Sequence, residues 1–313
     1  MMRKPIATAF APGSIANLGP GFDVLGLAVD GIGDRVTVEL TDRETRIADV
    51  TGLDSDLIPR DPKRNVAAIA AMAWLRAHDD LRNVIVTIDK GLPMSGGLGG
   101  SAASSVAGAW AAAAAAGADS GTANIVTDEI VAAALEGEAT VSGRHIDNIA
   151  PSVFGGLTLV RSVDPIDIVR IEVHSPWWVA LVTPNVRIET KSARSILPDT
   201  LRRSEWIQQM ANTSALAIAF SRGDGDLVRR ALDDRFAEPR RAPLIPHFGE
   251  VKNAALRAGA FGCSISGSGP TVFAVACDAE VAQRCRDAMQ QAFRGIDCLL
   301  HVSAIATRGA RVV

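Results

Sequence analysis

The stretch Lys90-Gly91-Leu92-Pro93-Met94-Ser95-Gly96-Gly97-Leu98-Gly99-Gly100-Ser101 constrains the fold more than any other in the chain. Before it runs Val84-Ile85-Val86-Thr87-Ile88, rich in β-branched residues, and after it an alanine-rich run over 101–116 with high helix propensity. The pattern predicts strand, glycine loop, helix. Such a loop leaves backbone N–H groups free at a helix N-terminus, where the helix dipole also favours an anion. A plain turn with Ser101 as N-cap needs only one or two glycines. Here Gly91, Gly96, Gly97, Gly99 and Gly100 fall within ten residues, with hydroxyls from Ser95, Ser101, Ser104 and Ser105. The stretch therefore reads as a cradle for nucleotide phosphates.

Composition sets the surroundings. At 313 residues the chain has room for one large domain or two ordinary ones, and its net charge of −3 carries no basic excess for nucleic acid. With 4% aromatics and no Tyr, stacking platforms for single strands are not expected. The four cysteines, Cys263, Cys277, Cys285 and Cys298, show no C-x-x-C spacing and read as buried free thiols of a reducing cytoplasm. The N-terminus does not read as a signal peptide, and the apolar run 102–116 is too short and alanine-dominated for a bilayer span. No membrane partner is expected, and oligomeric state stays open, a homodimer included.

Along the chain, 5–11 is expected to be an edge strand, 12–23 a second glycine-rich loop, and 34–40 a half-exposed alternating strand. A loop over 41–62, a helix over 65–78, a turn at 117–121, a helix over 123–135 and a strand over 154–160 follow. The polar segment 164–167 is the expected boundary between domains 1–165 and 166–313. Beyond it, strands are expected at 168–173, 178–182 and 299–306, with a hairpin turning at Ser266-Gly267-Ser268-Gly269-Pro270. Helices are expected at 192–196, 205–220, 226–234, 248–257 and 279–293, and a proline-punctuated loop at 239–246. Strands and helices alternate without βαβ regularity, which favours α+β over a doubly wound parallel sheet.

The Walker pattern is absent. The dinucleotide pattern occurs as Gly97, Gly99, Ala102, but Gly97 lies nine residues past Ile88, and Asp119, at the spacing of the expected acidic residue, follows a helix. A nicotinamide dehydrogenase is thus the weaker reading. Pro93-Met94-Ser95-Gly96-Gly97-Leu98-Gly99-Gly100-Ser101-Ala102-Ala103 resembles the central ATP-binding motif of the GHMP kinases, with Gly100 where the first of two serines is usual. Asn17-Leu18-Gly19-Pro20-Gly21-Phe22-Asp23, His145-Ile146-Asp147-Asn148-Ile149-Ala150-Pro151, Thr190-Lys191-Ser192-Ala193-Arg194 and Arg241-Ala242-Pro243-Leu244-Ile245-Pro246 narrow the resemblance to the homoserine kinases of that superfamily. It extends from about residue 6 to residue 276.

The resemblance implies a two-domain GHMP-kinase α+β fold, with an N-terminal mixed α/β ATP-binding domain and a C-terminal ferredoxin-like α/β sandwich. It implies transfer of the γ-phosphate of ATP to the side-chain hydroxyl of L-homoserine, with Mg²⁺. The implied nucleotide residues are Asn65, Val66, Lys90, Pro93, Ser95, Gly96, Gly97, Leu98, Gly99, Gly100, Ser101, Ala102 and Ser104. Asn65 and Val66 would meet adenine, and Lys90 either touches phosphate or is an exposed strand-end lysine. Ser101 would bind Mg²⁺ with a carboxylate, Glu138 by family spacing, with Glu136 as the alternative. Arg194 and Arg241 suit a substrate carboxylate, Asp23 its ammonium with help from Asn17, and His145 joins the pocket. Asn148 stands where mevalonate kinase carries a catalytic Asp, so it is expected to orient the hydroxyl without acting as base; Asp147 is a rival base. Thr190 is expected near the reacting groups, or else as a helix cap. A non-catalytic sensor on the same fold is a further alternative.

Overall fold

A computed structural model describes residues 5–117, 126–174 and 176–313. Most of the expected turn at 117–121, the start of the helix expected from 123, and Asp119 lie outside them.

Strands β1 (Ile6–Ala16) and β2 (Leu25–Thr41) pair antiparallel, from Ile6 opposite Glu39 to Ala16 opposite Gly26. The apolar run after residue 24 and the alternating strand at 34–40 are thus one long strand, and β1 continues into the expected loop. Strand β3 (Arg46–Gly52) lies inside the segment expected to be a loop. It is mostly exposed and polar, so hydrophobic alternation does not mark it. Helix α1 (Val66–Ala77) leads to β4 (Asn83–Lys90), which runs antiparallel to β2 and parallel to β3. Helices α2 (Gly100–Ala115), α3 (Thr127–Ala139) and α4 (Ile149–Phe154) follow, then the hairpin β5 (Leu157–Val163) and β6 (Ile166–Ile171) on the first part of β2.

Helices α1, α2 and α3 pack together over the sheet. The alanine richness of α1 and α2 has a geometric cause. A Cβ at Gly108 of α2 would stand 2.4 Å from the Ala67 carbonyl oxygen of α1, so the two helices meet at backbone distance, which larger side chains would forbid.

The second sheet is built from β7 (Trp178–Pro184), then α5 (Thr190–Ser195), α6 (Arg203–Arg222), α7 (Gly225–Ala231), α8 (Glu238–Arg241), α9 (Phe248–Arg257), β8 (Gly262–Ile265), β9 (Val272–Ala276), α10 (Ala279–Ala292) and β10 (Cys298–Ala304). Its order is β10-β7-β9-β8, all antiparallel. With α9 and α10 as crossovers this is the ferredoxin-like β-α-β-β-α-β arrangement; α5 to α8 are inserted after its first strand. The last strand, β11 (Arg311–Val312), returns to the first sheet and pairs with β1, so the first sheet runs β11-β1-β2-β4-β3 and β1 is not a free edge. The polar segment 164–167 contains the turn of the β5–β6 hairpin, and the chain leaves the first sheet only after Ile171. Polar residues mark exposed turns as readily as linkers. The proline-rich 239–246 segment forms α8 and a 3₁₀ turn at Ala242–Leu244 rather than an irregular loop.

Trp177, Phe220 and Phe273 of the second half belong to the same core as β1, β2 and α2. The sheets are thereby joined by continuous apolar packing, which holds the groups across the cleft in fixed relation. All four cysteines are free; Cys263 and Cys285 are buried, but Cys277 is exposed, contrary to the sequence reading. No helix among the described residues is long and apolar enough to cross a membrane.

Candidate active site

A cavity of about 410 Å³ opens between the two sheets. Its floor is the loop between β4 and α2. Gly99, at φ 67°, is the N-cap of α2, and a Cβ there would stand 2.2 Å from Ser14 Oγ and 2.7 Å from Asn148 Oδ1. Only glycine fits that contact and that backbone region together. Gly100, Ser101 and Ala102 open the helix, so their N–H groups lack intrahelical partners, as a phosphate cradle requires. Pro93, Ser95, Gly96, Gly97, Gly99, Gly100 and Ser101 line the cavity. Leu98 and Ala102 do not: both side chains are buried in the core, and their share in the cradle is backbone alone.

Lys90 is not an exposed strand-end lysine. It is buried, and its ammonium donates to the Asp34 carboxylate, to Ser104 Oγ at 3.0 Å and to the Gly100 carbonyl at 3.2 Å. All three N–H groups are thus engaged by protein. Asp34 also accepts from Ser104 Oγ at 2.6 Å and from the backbone N–H of Gly91 and Leu92 at 3.1 and 3.2 Å. Lys90 and Ser104 both line the cavity and, through these bonds, also anchor the loop to β2.

Ser101 Oγ donates to Glu138 Oε1 at 3.0 Å. Glu138 is 5% exposed, and its Oε2 is buried without a hydrogen-bond partner among the described residues. Burial raises its pKa, with the Ser142 and Ser101 hydroxyls and the Lys90 charge opposing. Glu136 points outward toward Arg144, 3.5 Å away. The geometry thus brings Glu138, not Glu136, to Ser101. A buried carboxylate oxygen lacking a partner beside a hydroxyl fits a hard, oxygen-seeking cation such as Mg²⁺.

The second sheet supports the loop from above. Ser266 Oγ donates to the Gly97 carbonyl at 2.6 Å, the Thr271 N–H to the Gly96 carbonyl at 3.2 Å, and the Gly267 N–H to the Ala16 carbonyl at 3.1 Å. The Ser266–Gly269 turn thus docks on the glycine loop.

At the opposite end lies a charged cluster. Arg194 grips Asp23 bidentately, at 2.7 and 3.0 Å. Asn17 holds the turn, accepting from the Asp23 N–H at 3.1 Å and donating to the Gly267 carbonyl at 3.1 Å. Buried Arg241 donates to the carbonyls of Ala193 at 3.1 Å and Gly267 at 2.7 Å, leaving Nη2 without a protein partner among the described residues. Both guanidiniums lie over the Phe22 ring, 5.1 and 5.4 Å from its centroid. Burial, then the Arg194 charge, lowers the Arg241 pKa. Two cations held this close favour an incoming anion. His145 Nδ1 lies 3.6 Å from Asp23, and burial lowers its pKa, keeping the ring neutral near pH 7. Asp147, buried and lining the same cavity, is pushed up to about 7 by desolvation and the neighbouring Asp23 charge.

Asn148 lines the cavity and accepts from Ser14 Oγ at 2.8 Å. Thr190 is the first residue of α5, with Glu189 at the N-cap; it too lines the cavity, its hydroxyl 3.4 Å from Ser268 Oγ. Asn65 is the N-cap of α1: its oxygen accepts from the Ala67 and Ala68 N–H groups and its nitrogen donates to the Pro59 carbonyl at 2.8 Å. With its amide so engaged, Asn65 shapes the outer end of the cavity, while Val66 and Ile58 give that end apolar wall suited to a base.

Models of the "GHMP kinases N terminal domain" and "GHMP kinases C terminal" match residues 65–156 and 216–295. The chain is 38% identical to a homoserine kinase of Chlorobaculum tepidum, over 98% of each chain. It is 41% identical to one of Arabidopsis thaliana, covering 97% of this chain and 84% of the other. The chain belongs to the homoserine kinase family of GHMP kinases. A crystal structure of homoserine kinase from Cytophaga hutchinsonii superposes at a TM-score of 0.93 with 38% identity, covering 100% of this chain and 98% of that one. In this homoserine kinase family member, sequence reading passed over Ser14, Phe22 and Asp34, which the fold brings to the site. Asp34 sits within an ordinary alternating strand, Ser14 has no local pattern that separates it from a turn residue, and Phe22 lies inside the Asn17–Asp23 motif without being singled out there. Only the Ser14–Asn148 contact, 134 positions apart in sequence, marks Ser14.

Proposed function

We propose that the chain transfers the γ-phosphoryl group of ATP to the side-chain hydroxyl of L-homoserine, giving O-phospho-L-homoserine for threonine biosynthesis. The observation that carries this reading is the arrangement of one cavity. A phosphate cradle with the Ser101–Glu138 pair forms one end, and carboxylates and guanidiniums matched to an amino-acid zwitterion form the other.

Phosphoryl transfer needs positioning and charge neutralisation more than covalent help. The N–H groups at the start of α2 hold the phosphates. Ser101 and Glu138 would hold Mg²⁺, which would supply neutralisation of the phosphate charge. Arg241 and Arg194 take the substrate carboxylate. Asp23 takes the ammonium, and since Arg194 already engages both of its oxygens, Asp147 is the second carboxylate the ammonium meets. Asn148 and Thr190 set the hydroxyl, whose oxygen attacks the γ-phosphorus as the bond to ADP breaks. Asn148 cannot accept a proton near neutral pH, so the proton passes to a γ-phosphate oxygen. The biosynthetic role fits the cytoplasm, and light scattering reads the oligomeric state, a homodimer being one outcome.

ADP release measured side by side with homoserine, mevalonate and galactose tests the assignment. Turnover with homoserine alone is expected; preference for another alcohol, or nicotinamide binding without ATP use, overturns it.

A further inference from the structure

Ser14 belongs to none of the roles above, yet it is fully buried directly behind Asn148, which lines the cavity. The β1–β2 register shifts between Pro12 and Ser14, and such an irregularity re-aims the side chain that follows. The Ser14 N–H is tied to the Leu98 carbonyl at 3.1 Å, fixing it to the phosphate loop. Its Oγ lies 2.8 Å from Asn148 Oδ1, in the space a Cβ on Gly99 would fill.

We propose that Ser14 is a positioning residue that locks the Asn148 amide with its NH₂ group toward the reacting atoms. Among the described residues the Ser14 hydroxyl has no acceptor except Asn148. The reversed amide would leave the buried hydroxyl proton without an acceptor, which disfavours it. With Oδ1 occupied, Nδ2 donates to the oxygen of the attacking hydroxyl and leaves a second lone pair free for the γ-phosphorus. The O–P bond forms, the bridging bond to ADP breaks, and the hydroxyl proton leaves for a γ-phosphate oxygen because the amide offers it no acceptor.

The inference rests on the homoserine reading, so wild-type turnover with homoserine is measured first; its absence overturns that reading and this one together. Given turnover, Ser14→Ala is expected to lower kcat about tenfold, with KM for ATP and the unfolding midpoint unchanged. In an Asn148→Ala background the same substitution should cost nothing further. Ser14→Cys, close in volume but a poor donor, should match Ser14→Ala, and it is read instead if the alanine variant does not fold. Normal kcat in the folded variant, an equal loss in the Asn148→Ala background, or a loss confined to KM for ATP overturns the inference while leaving the homoserine reading intact.

Discussion

Replacing Asp147 by Asn removes a carboxyl group that titrates in the middle of the working range. Desolvation and the nearby Asp23 charge push its pKa from the ordinary 3.8 to about 7. About one tenth of the molecules then carry the Asp147 charge at pH 6 and about nine tenths at pH 8. If the ionised form receives the substrate ammonium, kcat/KM for homoserine should rise about tenfold between those values, mostly through KM. Burial lowers the His145 pKa from 6.5, so the Asp147→Asn profile is what separates a His145 contribution from that of Asp147. The assay is initial-rate ADP release at saturating ATP and metal and limiting homoserine, in buffers of constant ionic strength. Asp147→Asn should give a flat profile near the acidic-limb value of the wild type. A flat wild-type profile, or a rise that persists in Asp147→Asn, refutes the reasoning. A loss confined to kcat, with KM unchanged, instead makes Asp147 the base. Stability supplies an independent reading. Between 3.8 and about 7 the folded chain holds a proton on Asp147 that the unfolded chain has released. Stability therefore falls with rising pH across that window, by about 1.4 kcal/mol per pH unit. Asp147→Asn should remove that slope in denaturant titrations.

Glu138→Gln keeps the shape but removes the charge beside Ser101. It should raise the Mg²⁺ concentration for half-maximal rate and lower kcat on the order of 10²-fold, and Ser101→Ala should also cut kcat strongly, as single electrostatic contacts at phosphoryl centres do. Unchanged metal dependence in metal-titrated rate measurements refutes the Glu138 role. Arg241→Lys loses the fork that reaches two carbonyls and the cavity at once. KM for homoserine should rise about tenfold or more, with KM for ATP unchanged. Lys90→Met strands the buried Asp34 carboxylate. Thermal and denaturant unfolding should show a loss of about 3–5 kcal/mol, as for other broken buried pairs. A variant as stable as the wild type argues against the anchoring role.

The local features of this protein are legible in its residues alone. The strand–glycine loop–helix unit, the long helices, the 263–276 hairpin and the family motifs are patterns of neighbouring residues. Backbone propensity and glycine spacing act over a few positions, so they are legible before folding. The tertiary structure decided what depends on burial and distant partners. It gave Lys90 and Ser104, both on the cavity wall, an anchoring role as well, because Asp34, far away in sequence, lies beneath them in the sheet. It chose Glu138 over Glu136, because a helix buries one face and one of the two carboxylates lies on it. It joined Asp23 to Arg194 across 171 positions and brought Ser14 to Asn148. Charge pairing, desolvation and hydrogen-bond satisfaction are set by what surrounds a group in space, and only the folded chain supplies those surroundings.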